Sequence, residues 1–470
     1  MMGDMGHNAY RFIEFLAASG MGVWQMLPLG PTHEDGSPYQ CLSVHAGNPS
    51  LISIDWLVEC NWLHKPDCPT DVTASEKYRL NCLRLARTGF EAAADADSQQ
   101  ACMEFQNKAS HWLDDYALFV ALRRELGGQP WWNWPVGERD RKPAALQQAR
   151  QRLADEISQV KFEQFVFFTQ WHALKDFAHQ HGVALFGDMP IFVAHDSAEV
   201  WAQRHYFAVD EHGRAESVAG VPPDYFSATG QYWGNPQYRW ERLEADGFMW
   251  WIERLRTQFE LFDLVRVDHF RGFEAFWEIP AGAKTAVEGR WVKAPGKALL
   301  QALHNAFHRL PLVAEDLGTI TPEVDQLRQE FNLPGMKILQ FAFDGNPDNP
   351  YLPHNHETNC VVYTGTHDND TTLAWYGALP ELERQRLDDY LGFEVNVAMP
   401  WPLIRCALAS VANLAILPMQ DILGLGQGNR MNLPGTIGNN WRWRFQWEQV
   451  PTALAGQLRH LNHIYARCDD

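Results

Sequence analysis

The sequence predicts an α/β barrel with helical and loop insertions between its strands, and three observations support this. Short apolar runs rich in β-branched residues alternate with helix-length spacers, which is the pattern of βα units around a parallel sheet. Most of these runs end near a carboxylate, and a barrel places its ligand contacts at the carboxyl ends of its strands. The chain has 470 residues, enough for one such barrel with insertions.

The first element is a predicted helix from Asn8 to Ser19, with Asn8 as its N-cap and an apolar stripe along one face. A strand-like run follows over 23–29 and leads into a loop rich in Gly, Pro and Ser that contains SPYQ at 37–40. The loop after a buried barrel strand is a place for ligand contacts. We therefore predict that residues 1–55 begin the barrel.

A mainly helical insertion is predicted over residues 56–182, because no run in this range has the quality of a buried strand. It contains three periodic segments, and the last is long enough for two helices. The segments are Tyr78 to Phe105, Ser110 to Leu126 and Ala144 to Gln180. Residues 183–470 are predicted to form the rest of the barrel, with a loop insertion over the active site at 196–250.

Seven barrel strands can be counted along the chain. They begin near residues 23, 184, 264, 311, 335, 360 and 414. The acids within or after these runs are Asp188, Asp268, Glu315 with Asp316, Asp344, Asp368 and Asp421. Closure of a barrel of this kind needs eight strands. The first barrel strand is therefore expected to be missing from this chain, which would leave two strand edges open.

The composition is that of a globular protein, 46% hydrophobic and 21% charged, with a formal net charge of −19. This charge argues against nucleic acid and anionic membranes as partners. The eight cysteines show neither CxxC nor zinc spacing, and no signal peptide or membrane span is visible, which predicts reduced thiols in a cytoplasmic protein. Twenty tryptophans, many in loops beside Gly, Asn and Pro, would suit the flat faces of sugar rings.

A barrel mouth with acids and aromatic rings suits either metal or glycoside chemistry. The sequence lacks the usual ligand spacings and offers only the neighbours His195–Asp196 and His367–Asp368, whose side chains diverge. Glycosyl transfer with retention needs an ionised carboxylate as nucleophile and a protonated carboxylic acid about 5 to 5.5 Å away. The glycoside interpretation is therefore favoured, and neither a metal nor a cofactor is expected.

Two acids on consecutive strands fit those roles. Asp268 lies two residues from Arg266, whose charge is expected to keep it ionised as the nucleophile. Glu315 follows three apolar residues, and burial is expected to raise its pKa as a general acid requires. Asp368, beside His367, could bind sugar hydroxyls and stabilise an oxocarbenium-like transition state. Each acid taken alone could also be a capping or surface carboxylate.

Several motifs together resemble one family. They are SPYQ at 37–40, GDMPIFVAHDS at 187–197, GVPPDYFSATGQYWGNP at 220–236, RVDHFRGF at 266–273, VAEDLG at 313–318, TGTHDND at 364–370, and later NRMNLPGT and NNWRWR. In this order, over nearly the whole chain, they resemble the 4-alpha-glucanotransferases called amylomaltases or disproportionating enzymes, in glycoside hydrolase family 77 of the α-amylase clan. The resemblance implies retaining transfer of α-1,4-glucan segments, with Asp268 as nucleophile, Glu315 as acid/base and Asp368 as the acid that holds the distorted sugar.

The same resemblance implies contacts to the donor sugar, a platform stacked over its ring, and a loop over the acceptor. The donor contacts are Arg266, His367 and the supporting Asp188, the platform is Tyr39, and the acceptor loop carries Gln231 and Trp233 with Asp344 and Asn432 near it. The implied ligands are maltooligosaccharides, amylose, and glucose as an acceptor, in starch, glycogen or maltodextrin metabolism. Family members also have a first barrel strand ahead of the point where this sequence starts.

Three other interpretations stay open. A retaining α-1,4-glucan hydrolase would use the same acids, and it differs in whether water or a sugar hydroxyl takes the intermediate. A non-catalytic α-glucan-binding barrel is the second, although all three acids are present. A divalent-metal aldolase or hydrolase is the third, and an assay with zinc or magnesium would separate it.

Overall fold

The computed structural model describes part of the chain, namely residues 3–64, 72–223, 227–394, 398–436 and 438–468. Cys68 and the 224–226 part of the predicted acceptor motif lie outside the described residues. Six of the described cysteines are free thiols, namely Cys41, Cys60, Cys102, Cys360, Cys406 and Cys468. Among the described helices, none is both long enough and apolar enough to cross a membrane.

Eleven strands lie in the described part of the chain. They are β1 Val23–Gln25, β2 Ala184–Pro190, β3 Ser217–Val221, β4 Gln231–Pro236, β5 Leu264–Asp268, β6 Ala275–Pro280, β7 Arg290–Lys293, β8 Leu312–Ala314, β9 Gly335–Ile338, β10 Cys360–Tyr363 and β11 Leu414–Ile416. Strands β1, β2, β5 and β8 pair in that order, as do β9, β10 and β11, and every one of these pairings is parallel. The Ala314 N–H donates to Pro334 O at 2.8 Å and joins β8 to the start of β9. The predicted parallel α/β barrel is confirmed.

The barrel sheet is open between β1 and β11. Within the described residues, neither strand has a ladder partner on that edge. Six of the seven barrel strands begin where the sequence predicted, and β8 begins one residue later. The described residues thus supply seven of the eight strands that close such a barrel.

The barrel interior is built from alternate residues of its strands. Phe186, Val313 and Val361 are buried in one cluster, and residues two apart on a strand share a face. Asp188 therefore follows Phe186 on the inner face. Arg266 lies beside Asp188, because the two residues are register partners in β5 and β2. The strands thus carry charged side chains to the carboxyl end of the barrel.

Some strands are shorter than their apolar runs predicted. Strand β9 ends at Ile338 and gives way to the 3-10 helix Leu339–Phe341. Strand β11 ends well before Asp421, which lies in the helix Met419–Ile422. Asp421 is 1% exposed, and its Oδ1 accepts the Thr372 N–H at 2.7 Å. The interpretation of Asp421 as an acid at the barrel mouth is therefore wrong, because it is a buried structural carboxylate.

The described residues form eighteen α-helices. They are α1 His7–Ala18, α2 Ile54–Glu59, α3 Val72–Ala93, α4 Ala96–Lys108, α5 Ser110–Glu125, α6 Val136–Arg139, α7 Pro143–Arg152, α8 Ala154–Gln180, α9 Ala198–Ala202, α10 Trp240–Ala245, α11 Met249–Leu261, α12 Gly296–Phe307, α13 Pro322–Glu330, α14 Thr372–Ala378, α15 Glu381–Leu391, α16 Trp401–Ala409, α17 Met419–Ile422 and α18 Leu454–Ile464. The last periodic segment divides into α7 and α8 as predicted, whereas the first is two helices, α3 and α4. The division of the chain into domains at 55 and 182 stays a prediction.

Helix α1 begins earlier than predicted. Its N-cap is Gly6, which makes no side-chain capping hydrogen bond, so the prediction of Asn8 as the cap is wrong. The helix is instead held by its apolar face, on which Ile13 and Leu16 are buried.

The 196–250 insertion contains more regular structure than the loop that was predicted. Its strands β3 and β4 join β6 and β7 in a four-stranded antiparallel sheet of order β4, β3, β6, β7. Both predicted acceptor residues, Gln231 and Trp233, lie on β4. They are therefore held by a sheet and not by a free loop.

Candidate active site

A buried arginine ties two carboxylates together on the inner face of the barrel. Arg266 Nη1 donates to both oxygens of Asp188 at 2.8 and 2.7 Å, and its Nη2 donates to Asp268 Oδ1 at 2.9 Å. Asp188 is 2% exposed and Arg266 is 5% exposed. Burial of these charges is tolerable because they are paired. Arg266 therefore fixes the direction of the Asp268 carboxylate.

Two rings continue this network. The Tyr39 hydroxyl donates to Asp188 Oδ2 at 2.7 Å, so its oxygen can accept from His367 Nε2, which is 2.9 Å away. Burial lowers the pKa of His367 and favours the neutral ring. The contact with Tyr39 then assigns the ring proton to Nε2. The Tyr39 and His367 rings also stack, with centroids 5.3 Å apart.

Asp268 and Glu315 stand at the ends of neighbouring parallel strands. The residues just before the two acids are register partners in β5 and β8, and neighbouring strands lie about 4.8 Å apart. Glu315 Oε2 accepts the His269 N–H at 2.7 Å, and its Oε1 accepts the Leu317 N–H at 3.0 Å. The two predicted catalytic acids are thus adjacent at the barrel mouth.

Burial raises the pKa of both acids. It raises the pKa of Asp268 to about 8, although the charge of Arg266 acts in the opposite direction. Burial also raises the pKa of Glu315 against Arg266 and two main-chain N–H groups. Arg266 thus favours the ionised form of Asp268, as the sequence led us to expect, but burial acts in the opposite direction and has the larger effect on the pKa. Neighbouring acids that interact titrate as a pair, and burial favours the state in which this pair keeps a proton.

The third acid is held by the segment that follows β11. Asn432 Nδ2 donates to Asp368 Oδ1 at 2.6 Å, and the Asn432 N–H donates to the His367 main-chain oxygen at 3.0 Å. Arg430 donates to the main-chain oxygens of Asp368 and Asn432. The Asp368 side chain is 46% exposed, and its Oδ1 lies 3.4 Å from His367 Nε2. Asp368 is therefore held in one direction while it stays accessible.

The predicted acceptor residues reach the mouth through a histidine at the end of β5. Trp233 Nε1 donates to Gln231 Oε1 at 3.0 Å, and the Trp233 ring meets the His269 ring edge-on with centroids 4.9 Å apart. Asp344 behaves differently, because it is exposed and its Oδ1 accepts the Asn346 N–H at 2.9 Å. Among the described residues it makes no hydrogen bond to the other predicted site residues. The structure brings those others together and leaves Asp344 aside.

Three residues of this network were not predicted, namely Arg430, Trp441 and His269. Trp441 lies with its ring centroid 5.7 Å from that of Tyr39. Both Arg430 and Trp441 occur in motifs that the sequence singled out, but a motif does not show which atoms its side chains contact. The left-handed conformation of His269, φ 54° and ψ 48°, has no signal in the sequence.

The site offers two neighbouring acids whose pKa values burial raises, with a third acid beside them, in an accessible mouth with aromatic rings. A shared proton allows one acid to donate it while the other acts as a nucleophile or base. With a parallel α/β barrel, this mouth defines the class of barrel enzymes that cleave and form glycosidic bonds.

Comparison with known proteins gives the family. The chain belongs to the 4-alpha-glucanotransferase family, whose model matches residues 1–450. A 4-alpha-glucanotransferase of Thermus thermophilus is 50% identical over 470 residues, covering 97% of this chain and 94% of that protein. One from Synechocystis sp. is 48% identical over 478 residues, covering 99% of this chain and 95% of that protein. The reaction of this chain is accordingly transglycosylation of α-1,4-glucans.

Solved structures agree with this assignment. An amylomaltase from Streptococcus agalactiae, solved in complex with acarbose, superposes with a TM-score of 0.96 at 33% identity, covering 100% of this chain and 96% of that one. An amylomaltase from Corynebacterium glutamicum shares the fold, with a TM-score of 0.75 at 19% identity, covering 99% of this chain and 72% of that one.

Proposed function

We propose that this enzyme moves a maltooligosyl segment from a donor glucan to the 4-OH of an acceptor glucan or glucose through a covalent glycosyl-aspartate intermediate. The observation that carries this proposal is that Asp268 and Glu315 directly follow the register partners Val267 and Ala314 of the paired strands β5 and β8. A strand spacing of about 4.8 Å suits the carboxyl separation of about 5 to 5.5 Å that retention uses. Two successive inversions at the same carbon then give net retention.

In the first step, Asp268 attacks C1 of the donor sugar while the bond from C1 to the glycosidic oxygen breaks. Glu315 gives its proton to that oxygen, and the shortened glucan leaves. Arg266 holds Asp268 Oδ1 at 2.9 Å, which leaves Oδ2 for the attack. The pair holds one proton, so Asp268 is ionised whenever the proton is on Glu315. In that state Asp268 can attack, and Glu315 can give the leaving group the proton that it needs.

In the second step, the acceptor 4-OH attacks the same C1 and the bond between C1 and Asp268 breaks. Glu315, now ionised, takes the hydroxyl proton, and both acids return to their starting states. Water competes for this intermediate, so transfer requires an acceptor that is held in place and a mouth that excludes water. Trp233 and Gln231 on β4 are proposed to supply that acceptor surface.

The third acid and its neighbours are proposed to hold the donor ring. Asp368 would accept hydrogen bonds from ring hydroxyls, and its charge would stabilise the oxocarbenium-like transition state. Tyr39 would stack on the ring and His367 would contact it, while Asn432 holds Asp368 in place through the hydrogen bond to its Oδ1. A glucan contact for Asp344 stays a prediction.

Trapping of the intermediate tests the mechanism. A maltooligosyl fluoride releases fluoride with little need for an acid, so Glu315→Gln can form the glycosyl-enzyme but lacks the base that activates the acceptor. We expect the covalent adduct to accumulate, and peptide mass spectrometry should find it on Asp268. The double variant with Asp268→Asn should show no adduct. An adduct on Asp368, or none on a folded Glu315→Gln protein, would contradict the assignment.

The range of acceptors is also proposed, with maltooligosaccharides, amylose and glucose as the candidates. Product analysis with each acceptor separately checks it. The cytoplasmic location stays a prediction.

A further inference from the structure

His269, directly after the proposed nucleophile, has an unusual backbone conformation. Its φ is 54° and its ψ is 48°, in the left-handed region that residues other than glycine rarely adopt. This conformation turns the His269 N–H across to the next strand, where it donates to Glu315 Oε2 at 2.7 Å. The main chain of one residue thus links the ends of β5 and β8.

The His269 side chain makes a second link, to the proposed acceptor surface. Its ring meets the Trp233 ring edge-on, with centroids 4.9 Å apart and planes at 87°. Its Nε2 is buried and has no hydrogen-bond partner among the described residues, and burial lowers the pKa of the ring to about 3. The ring is therefore neutral and acts by packing, not by proton transfer.

A glycine of the same motif lies beside this ring. A Cβ on Gly272 would stand 2.9 Å from Ile191 Cδ1 and 3.4 Å from His269 Cδ2. The Gly272 N–H also donates to the His269 main-chain oxygen at 2.9 Å. A side chain at Gly272 would therefore collide with Ile191 but would make only an ordinary contact with the His269 ring, and the Gly272 N–H fixes the turn that follows His269.

We propose that His269 is a positioning residue that couples the acceptor surface to the acid/base. Its ring supports Trp233, and its N–H holds Glu315 in the direction needed for proton transfer. This inference rests on the proposed roles of Trp233 and Glu315. His269 then has two effects that can be measured separately. The ring sets how often a sugar hydroxyl, and not water, attacks the intermediate, and the N–H sets the proton affinity of Glu315.

The direction of the second effect follows from the groups around Glu315. An N–H that donates to a carboxylate stabilises the ionised form and lowers the pKa. Arg266 also favours the ionised form, whereas Asp316 on the same segment and Asp268 on β5 disfavour it. Burial, followed by the charges of Asp316 and Glu315, raises the pKa of the neighbouring Tyr351 to about 12, so it stays a neutral phenol near neutral pH. Loss of the His269 N–H should therefore raise the pH at which the pair gives up its proton.

Three variants separate the two effects. Asn and Gly accept the left-handed conformation, so His269→Asn and His269→Gly keep the N–H in place and remove the ring. Val is β-branched and disfavours that conformation, so His269→Val loses both. With maltotriose as substrate, we expect hydrolysis to gain about fivefold or more over transfer in all three. The alkaline limb of kcat/KM should stay in place for Asn and Gly and move up by about one pH unit for Val.

Each outcome bears on the proposal. An unchanged ratio of transfer to hydrolysis in His269→Asn would overturn the role of the ring, and a shifted alkaline limb in both His269→Asn and His269→Gly would overturn the role of the N–H. An unshifted alkaline limb in His269→Val would also overturn the role of the N–H. If His269→Val fails to fold, His269→Ala replaces it, because alanine also disfavours a positive φ. The products of the native enzyme from maltotriose are measured before any variant is compared. If the native enzyme makes no transfer products, the proposed function is overturned instead.

Discussion

Removal of the guanidinium at position 266 should strongly destabilise the protein. Arg266 carries the charge that compensates Asp188, with two hydrogen bonds of 2.8 and 2.7 Å. Since Asp188 is 2% exposed, Arg266→Met would leave a carboxylate buried without its counter-charge. Breaking a buried pair in this way costs about 3 to 5 kcal/mol. We expect a loss of that size in the free energy of unfolding, measured by urea denaturation followed through tryptophan fluorescence.

Two controls show whether burial is the cause. The double variant Asp188→Asn with Arg266→Met removes both charges and should recover most of the loss, because a neutral buried pair has no uncompensated charge. Arg290 and Glu278 form a pair of similar length, 2.8 Å, but the Arg290 side chain is 78% exposed. Arg290→Met should therefore cost at most about 1 kcal/mol.

The reasoning would be refuted if Arg266→Met lost no more stability than Arg290→Met. It would also fail if the double variant were as unstable as Arg266→Met alone, since the loss would then come from packing and not from the buried charge of Asp188.

Three further predictions concern the reaction. Burial raises the pKa of Asp268 to about 8, so above about pH 8 the Asp268–Glu315 pair has lost its last proton and no acid remains for the leaving group. The value of kcat/KM for maltotriose should therefore fall above about pH 8. A profile that stays flat to about pH 10 would contradict this prediction. Asn432→Ala removes the 2.6 Å hydrogen bond to Asp368 and should lower kcat by about tenfold or more, with KM changed less than about twofold; an equal change in both constants would argue for substrate binding instead. Trp233→Ala should raise the share of hydrolysis among maltotriose products at the expense of transfer, and an unchanged product ratio would remove Trp233 from the acceptor surface.

Local sequence was enough to predict the barrel and the neighbouring acids. Strand β5 has the predicted bounds, because its apolar residues Val265 and Val267 alternate with residues that face the barrel interior. Consecutive βα units lie side by side, so Asp268 and Glu315 could be expected at adjacent strand ends. The prediction for the segment that carries Asp421 was wrong because it relied on the apolar run alone. The pattern of that ten-residue run predicts one strand, although its second half forms a helix.

Features that depend on tertiary contacts could not be predicted in the same way. The sheet of β3, β4, β6 and β7 was missed because its strands include glycine and proline, and Gly234 on β4 has a positive φ of 80°. The rise in the pKa of Asp268 could not be predicted, because the sequence shows the charge of Arg266 two residues away but not the burial of the site. The hydrogen bond from Asn432 to Asp368 joins residues 64 positions apart, and no local pattern reports such a contact.

The most direct test of the account is incubation of the purified protein with maltotriose alone, with products separated over time. The account predicts glucose together with a ladder of longer maltooligosaccharides, because a second sugar takes the glycosyl group from Asp268. The Asp268→Ala variant should produce neither. Only maltose and glucose from the native protein would show that water takes the intermediate, and that result would contradict the account.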